Sequence, residues 1–582
     1  MASIPGFENL EKLKKEYQWF DLSSHTYGPA KKGQTYVGGV PLLYDSTAQK
    51  VYVDSTDTHT LVYGATGSLK TRSIVMPAIK LLGYAGESLI INDAKGELYN
   101  RLAADLYNQG YNIVVINLRD PSKGNCWNPL FLPYQFYLKD DIDRACEFIS
   151  DIAINLTKDE ATNQDPFWDN SAADLTFGLI LLLFKYCKEH DEDINAVNIS
   201  NIISLRRELF TVSPGKRPKD TDIWKYASKD ELIAARLSGS VFAPNDTMNS
   251  ILSVFDNKMS IFSLQPTLLK MLANNDFDIA DIGRKKTALF LVIPDEKTTF
   301  SALVSLFIKQ SYEYLIFTAM QTGNNTVANR VNYCLDEFSA LPSIADFPAM
   351  ITAARSRDIR FLLIVQSQSS LKRKYKEDAD TIIGNCSNWI FFTSRELGLL
   401  RELSELCGTQ KGGHTPNIST YELQHFSKDK REALVLCGRH KPAKVNMIDI
   451  DNHHLSGGSY SILKIATSDR KERKTLSFDS ITDGNDAVEV ATPRNPFEQL
   501  QTKHADNPFG VFPPHMPDSE IVFDPLDEEY RQLLQRIDKR RSSFICTPSQ
   551  SARMIGDTQL NGSNEPQSLE ELLSQLMSDN DN

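Results

Sequence analysis

Short, continuous apolar runs recur along the chain with helical stretches between them. They fall at Leu61–Tyr63, Ser88–Ile91 and Asn112–Ile116, then after a long interval at Ala288–Ile293, Tyr333–Leu335, Phe361–Val365 and Trp389–Phe392. Unbroken runs of Val, Ile and Leu suit strands buried on both faces, and their alternation with helices predicts a doubly wound α/β domain. The interval from about Leu130 to Ala280 reads differently. Asp141–Leu156 and Ala172–Cys187 carry helical periodicity, and strand-like runs are sparse, so an all-α domain inserted between two halves of one sheet is expected. The predicted division is a lead segment 1–57, a first half-domain 58–130, the insertion 131–280, a second half-domain 281–455 and a tail 456–582.

The tail shifts to Pro, Asn, Asp and Ser and is expected to be largely flexible. Two pieces of it carry helical apolar stripes. One is Tyr530, Leu533, Leu534 and Ile537, followed by the basic run Lys539-Arg540-Arg541; the other is Leu569, Leu572, Leu573 and Leu576, with Ser568 and Glu571 spaced as a capping box. Either stripe docks on the body or binds a partner. No internal repeat is visible.

The whole chain has 582 residues, 41% hydrophobic and 24% charged, values of a globular protein with a large core. Its net charge of −12 lies almost entirely in the tail, where residues 481–582 hold 8 Lys/Arg against 18 Asp/Glu. The body is therefore near neutral, and the acidic total does not exclude nucleic acid as a partner. The eight cysteines form no CxxC pair and read as reduced core residues of a cytosolic protein. The N-terminus lacks an apolar run that could serve as a signal peptide, and the longest apolar stretch, Phe177–Phe184, is far short of the ~20 residues that span a bilayer. A soluble chain is expected.

The segment Leu61-Val-Tyr-Gly-Ala-Thr-Gly-Ser-Leu-Lys-Thr71 reads as a strand, a small-residue loop, then Lys-Thr opening a helix. That order suits a phosphate-binding loop. Backbone N–H groups from Gly64, Ala65, Thr66, Gly67, Ser68 and Leu69 would surround phosphate, Lys70 would neutralise its charge, and the Thr71 hydroxyl would ligate Mg²⁺. Position 69 is Leu where the pattern has its second glycine, and a Cβ there is expected to crowd the backbone.

The second half supplies a partner motif. Val331-Asn-Tyr-Cys-Leu-Asp-Glu-Phe338 is an apolar strand ending in two carboxylates, suited to Asp336 holding the Mg²⁺ shell and Glu337 polarising the attacking water, or else to an acidic strand end facing solvent. Downstream, Arg355 or Arg357 could reach a neighbouring subunit's γ-phosphate as an arginine finger, or form surface ion pairs. Gln366, at the end of another strand, suits a phosphate sensor or an ordinary polar strand end. The run Lys372-Arg373-Lys374-Tyr375-Lys376 combines four cations with an aromatic; it is either a DNA-contacting loop or a solvated one.

Together these residues resemble the type IV coupling proteins, the TraG/TraD family of conjugative and secretion ATPases. The resemblance runs from about Val53 to Asp449 and rests on GATGSLKTR at 64–72, NDAKGELYNRLA at 92–103, NLRDP…CWNPL at 117–130, DPFWDNSA at 165–172, ALFLVIPDE at 288–296, the segment from Cys334 to Ile359, and IVQSQSSL at 364–371. It implies a RecA-like P-loop ATPase domain with an inserted all-α domain, using ATP and Mg²⁺ and active as a homohexamer at a membrane secretion channel. It further implies recruitment of relaxase-bound DNA, and of protein substrates, with ATP hydrolysis driving export. Lys70 and Thr71 would hold phosphate and Mg²⁺, Asp336 and Glu337 would be the Walker B pair, Arg355 the trans finger and Gln366 the sensor. Asp93 and Lys95 match the family's DxKGE motif, for a nucleotide-linked role or a structural turn. Most relatives begin with paired transmembrane helices; this chain shows none, so attachment to the inner face of the plasma membrane is expected through an anchor protein. The competing reading is a scaffold that binds nucleotide without hydrolysing it and recruits substrate to the channel. A chromosome-partitioning or repair motor is a third, which the motifs of the inserted domain disfavour.

Overall fold

The computed structural model describes residues 7–481 apart from 158–165, 264, 295, 297–299, 322, 411–412, 414, 452–454, 456–469 and 479–480. Both amphipathic stretches of the tail lie outside the described residues.

The lead segment is itself structured. Helix α1 (Leu10–Glu16), capped by the Asn9 side chain, precedes strands β1 (Gln18–Asp21), β2 (Thr26–Tyr27), β3 (Val40–Asp45) and β4 (Lys50–Asp54). They form an antiparallel sheet in the order β2-β1-β4-β3. The sequence reading assigned no element here; β1 buries only alternate residues and β2 is two residues long, although β3 and β4 each bury four consecutive residues.

The main sheet contains β5 (Thr60–Tyr63), β6 (Ser88–Asp93), β7 (Asn112–Asn117), β8 (Thr287–Val292), β9 (Val331–Leu335), β10 (Ile359–Val365), β11 (Asn388–Phe391), β12 (Glu432–Cys437) and β13 (Ala443–Asn446). Its order is β13-β12-β11-β5-β10-β9-β6-β8-β7. Strands β5 to β11 run parallel, and β12 and β13 add an antiparallel edge. Most central strands are buried along their whole length, which is why they read as unbroken apolar runs. Helices α2 (Met76–Ala85) and α3 (Glu97–Asn108) follow β5 and β6.

Between β7 and β8 the described residues form only helices: α4 (Phe131–Leu138), α5 (Ile142–Thr157), α6 (Pro166–Glu189), α7 (Ile199–Phe210), α8 (Asp222–Ala227), α9 (Glu231–Val241), α10 (Asn245–Ser263), α11 (Pro266–Leu272) and α12 (Ala280–Arg284), with short 3₁₀ turns. By length and composition α6 could cross a membrane (mean hydropathy 1.2), but 67% of that window is buried here among other helices. The remaining helices are α13 (Ser301–Gln321), α14 (Phe347–Ala354), α15 (Gln368–Tyr375), α16 (Asp378–Asn385), α17 (Leu397–Leu406) and α18 (Thr420–Gln424). One stretch of the expected flexible tail, residues 470–478, packs on the helical domain. Asn198 and Asn201 amides donate to the Lys474 carbonyl, and Leu476 and Phe478 are buried.

The two sheets are joined by a buried charge network at the N-terminal ends of β6, β9 and β10. Glu87 accepts from Arg330 at 2.7 Å, Arg360 at 2.8 Å and Asn332 at 3.0 Å. Both arginines also donate to the Gly38 and Thr56 carbonyls of the N-terminal region. Arginine's planar fork suits such multiple bonding, and each charge is left with oppositely charged or polar partners. The C-terminal ends of the strands, at the opposite edge, carry the candidate chemistry.

Candidate nucleotide site

Strand β5 ends at Tyr63, and the chain turns through residues 64–69 before Lys70 starts a helix. The turn is tight. A Cβ on Gly64 would come within 2.5 Å of Ser68 Oγ and 2.9 Å of Lys70 Cδ, so a side chain there would displace the Ser68 and Lys70 side chains. Gly67 has φ +77° and Leu69 has φ +67°. Position 69 therefore holds the left-handed conformation that glycine adopts freely, and a leucine occupies it under strain. Thr71–Val75 form a π-helical turn that leads into α2. Lys70 is buried and donates to the Gly64 carbonyl and, at 3.3 Å, to that of Ala65. Burial lowers its pKa, against the pull of Glu337 and Asp336.

The strand order brings the second motif alongside. β10 lies between β5 and β9, with Val365 opposite Tyr63 and Leu363 opposite Leu335. Asp336 and Glu337 leave the end of β9 beside the loop, and Gln366 leaves the end of β10 between them. The Gln366 amide bridges the two motifs: its Nε2 donates to Glu337 Oε2 at 2.7 Å, and its Oε1 accepts from Thr66 Oγ1 at 3.3 Å. Glu337 sits at φ +52°, with its N–H donating to Asp336 Oδ1 at 3.0 Å. Burial, reinforced by the Glu337 charge, pushes the Asp336 carboxyl up to about 7, with Lys70 opposing. A divalent cation would relieve that destabilised charge.

Two further groups belong to the site. Asn92 on β6 pairs in register with Leu335, and its Nδ2 donates to the Asp336 carbonyl at 2.6 Å. Its Oδ1 and the Ser68 hydroxyl are buried with no hydrogen-bond partner among the described residues. Unpartnered buried polar atoms at a glycine-rich loop fit a site that takes a polar ligand. Asn92 was legible only as the residue before Asp93 in NDAKGELYNRLA; nothing marked its side chain. Asp93 itself accepts from the backbone N–H of Tyr99 at 2.8 Å and of Lys95 at 3.4 Å, fastening the turn into α3, and burial raises its pKa. Lys95 is exposed.

Arg355 is elsewhere. It precedes β10, at the opposite end of that strand from Gln366, and pairs with Asp57 at 3.2 Å. The basic run also differs from its expected form. Lys372, Arg373, Lys374 and Tyr375 close helix α15, not a loop. Leu371 and Tyr375, spaced four apart, turn inward, and the Tyr375 ring stacks on Phe338. Its hydroxyl accepts from the Ile344 N–H at 3.1 Å, so this aromatic is unavailable for base stacking. Lys374 donates to the Ser339 carbonyl at 2.7 Å, and Lys372 pairs with Asp380.

A parallel sheet with one strand between the P-loop strand and the carboxylate strand, and a polar residue ending that intervening strand, is the arrangement of a RecA-like P-loop fold. The chain belongs to the family described as Type IV secretory system Conjugative DNA transfer, whose model matches residues 8–429. It is 26% identical over 330 residues to the protein VirD4 of Rhizobium radiobacter, covering 55% of this chain and 43% of that one. A VirD4 of Agrobacterium fabrum is 26% identical over 328 residues, covering 55% and 44%. The match thus spans less than half the length of these relatives. Among solved structures, the plasmid coupling protein TrwB with an ATP analogue aligns with TM-score 0.50 and 15% identity over 76% of this chain and 93% of that one. The unbound TrwBΔN70 aligns with TM-score 0.51 and 15% identity over 77% and 93%. These likenesses concern the fold.

Proposed function

We propose that this chain is an ATP-driven coupling protein that brings relaxase-bound DNA, and protein substrates, to a type IV secretion channel and powers their transfer. The observation that carries the reading is the hydrogen-bonded link Thr66–Gln366–Glu337, which ties the phosphate loop to the paired carboxylates. In this reading Lys70 gives up its bonds to the loop carbonyls for phosphate oxygens, and the backbone N–H groups of residues 64–69 close around them. Mg²⁺, held through Thr71 and Asp336, would neutralise phosphate charge. Glu337 orients the attacking water and takes its proton, while Asn92 fixes the Asp336 backbone from the side. Gln366 moves with Glu337 and reports to β10 whether phosphate is present.

Arg355 acts, in this proposal, on the nucleotide of a neighbouring subunit. The length of β10 separates it from Gln366 by ~23 Å at ~3.3 Å per residue, too far to serve its own site. That separation supports a ring, taken to be a homohexamer, at the cytoplasmic face of the membrane and attached through an anchor protein. The alternative, a non-hydrolysing recruiting scaffold, is favoured by one observation, the strained Leu69. The test is Glu337→Gln in a transfer assay and in purified form: it should bind ATP, turn over none and fail to support DNA transfer. Normal turnover by that variant would sink the assignment.

A further inference from the structure

Away from the nucleotide, a cavity of about 670 Å³ opens between the helical domain and the sheet domain. Three helices build it. Asp151 of α5 meets Lys309 of α13 at 2.6 Å, whereas Arg144 of α5 lies 4.0 Å over the Phe317 ring of α13, so these two helices run antiparallel. Asp346, just before α14, meets Lys309 at 2.8 Å, and the Tyr312 hydroxyl donates to the Met350 carbonyl at 2.8 Å, so α14 runs alongside α13 in the same direction. The result is a trough with unlike ends, ~10 Å apart by the helical rise between Arg144 and Asp151.

At one end a single buried cation sits among three carboxylates. Lys309 is almost wholly buried, bonded to Asp151 and Asp346 and 3.8 Å from Glu313, whose carboxyl is pushed up by burial and the neighbouring Asp151. At the other end the lining holds two guanidiniums, Arg144 and Arg357, and one carboxylate, Glu147, a turn on from Arg144. Arg144 reaches Asp141 only at 3.7 Å, and Arg357 donates from Nη1 to the Ala353 carbonyl and the Ser356 hydroxyl, with no carboxylate within ion-pairing distance among the described residues. The wall between the ends is apolar, formed by Phe148, Ile316, Phe317 and Met350. Cavities of this size with an apolar wall and a few convergent polar groups suit small organic ligands.

We infer that this trough is a second ligand site, for an amphipathic organic anion whose acidic group meets Arg144 and Arg357 and whose apolar body lies along Phe148, Ile316 and Met350. A ligand here touches the helical domain and α14 together, and α14 leads directly to Arg355.

The full-length protein can be titrated with the aryl sulfonate 1-anilinonaphthalene-8-sulfonate and followed by fluorescence. The inference expects saturable binding at one site per chain, unchanged by excess ATP or by Lys70→Ala. Arg144→Gln should weaken it about tenfold, and Ala349→Trp, which fills the trough from an exposed position, should abolish it with the thermal unfolding midpoint retained. N-phenyl-1-naphthylamine, the same body without the sulfonate, should bind at least about tenfold more weakly. Unsaturable binding, equal affinity for the two probes, or full binding by both folded variants would overturn the inference.

Discussion

Leucine at position 69 offers a quantitative check on the phosphate loop. Its φ of +67° places a side-chain-bearing residue in the left-handed region, at a cost of ~1–2 kcal/mol relative to an unstrained backbone. Replacing it with glycine removes that cost but frees the unfolded chain, which returns ~0.4–1 kcal/mol. Leu69 is half-buried and lies outside the hydrophobic clusters of the described residues, so little packing is lost. The balance favours Leu69→Gly by roughly 0–1.5 kcal/mol, or, at about 1 kcal/mol per K of unfolding entropy for a body of this size, an unfolding midpoint raised by up to about 1.5 °C. Leu69→Val should move the other way, because β-branched residues tolerate positive φ least. Thermal unfolding of both variants decides the point, and ATP-analogue affinity should stay within about threefold in Leu69→Gly because the backbone shape is kept. A midpoint lowered by glycine, or unchanged by valine, would refute the claim that the loop stores strain at this residue.

Other consequences are open to measurement. Glu87→Gln leaves the buried Arg330 and Arg360 without their carboxylate and should cost ~3–5 kcal/mol in denaturant unfolding. Glu313, with its pKa raised to about 8 from 4.5, binds more protons folded than unfolded between those values, so its contribution weakens as pH rises from about 5 to 8. Glu313→Gln should therefore gain thermal stability over the parent at pH 8 and show little difference at pH 5; the reverse order would contradict the burial argument. Asn92→Ala removes the bond to the Asp336 carbonyl and should lower turnover by roughly fivefold with the unfolding midpoint nearly unchanged, as expected for a lost hydrogen bond of ~1 kcal/mol. Equal losses in binding and turnover would assign it to nucleotide binding instead.

The parallel strands were legible because burial on both faces writes an unbroken apolar run, as at Phe361–Val365. The N-terminal sheet was not, since Gln18-Trp19-Phe20-Asp21 buries only alternate residues and β2 is two residues long. The basic run misled for a related reason: four cations drew the eye from Leu371 and Tyr375, whose spacing of four was the helical signal. In the site, the P-loop and paired carboxylates were visible as local patterns. Their hydrogen-bonded link through Gln366, and the pairing of Arg355 with Asp57, join residues about 300 positions apart and depend on strand order that no local pattern contains.

The most direct test of the motor reading is steady-state ATP hydrolysis by the purified protein, with and without single-stranded and double-stranded DNA, beside Lys70→Ala. The account predicts turnover that rises with DNA and disappears in the Lys70 variant. A folded, oligomeric protein that binds ATP yet hydrolyses none under any of these conditions would contradict it and leave the recruiting scaffold in its place.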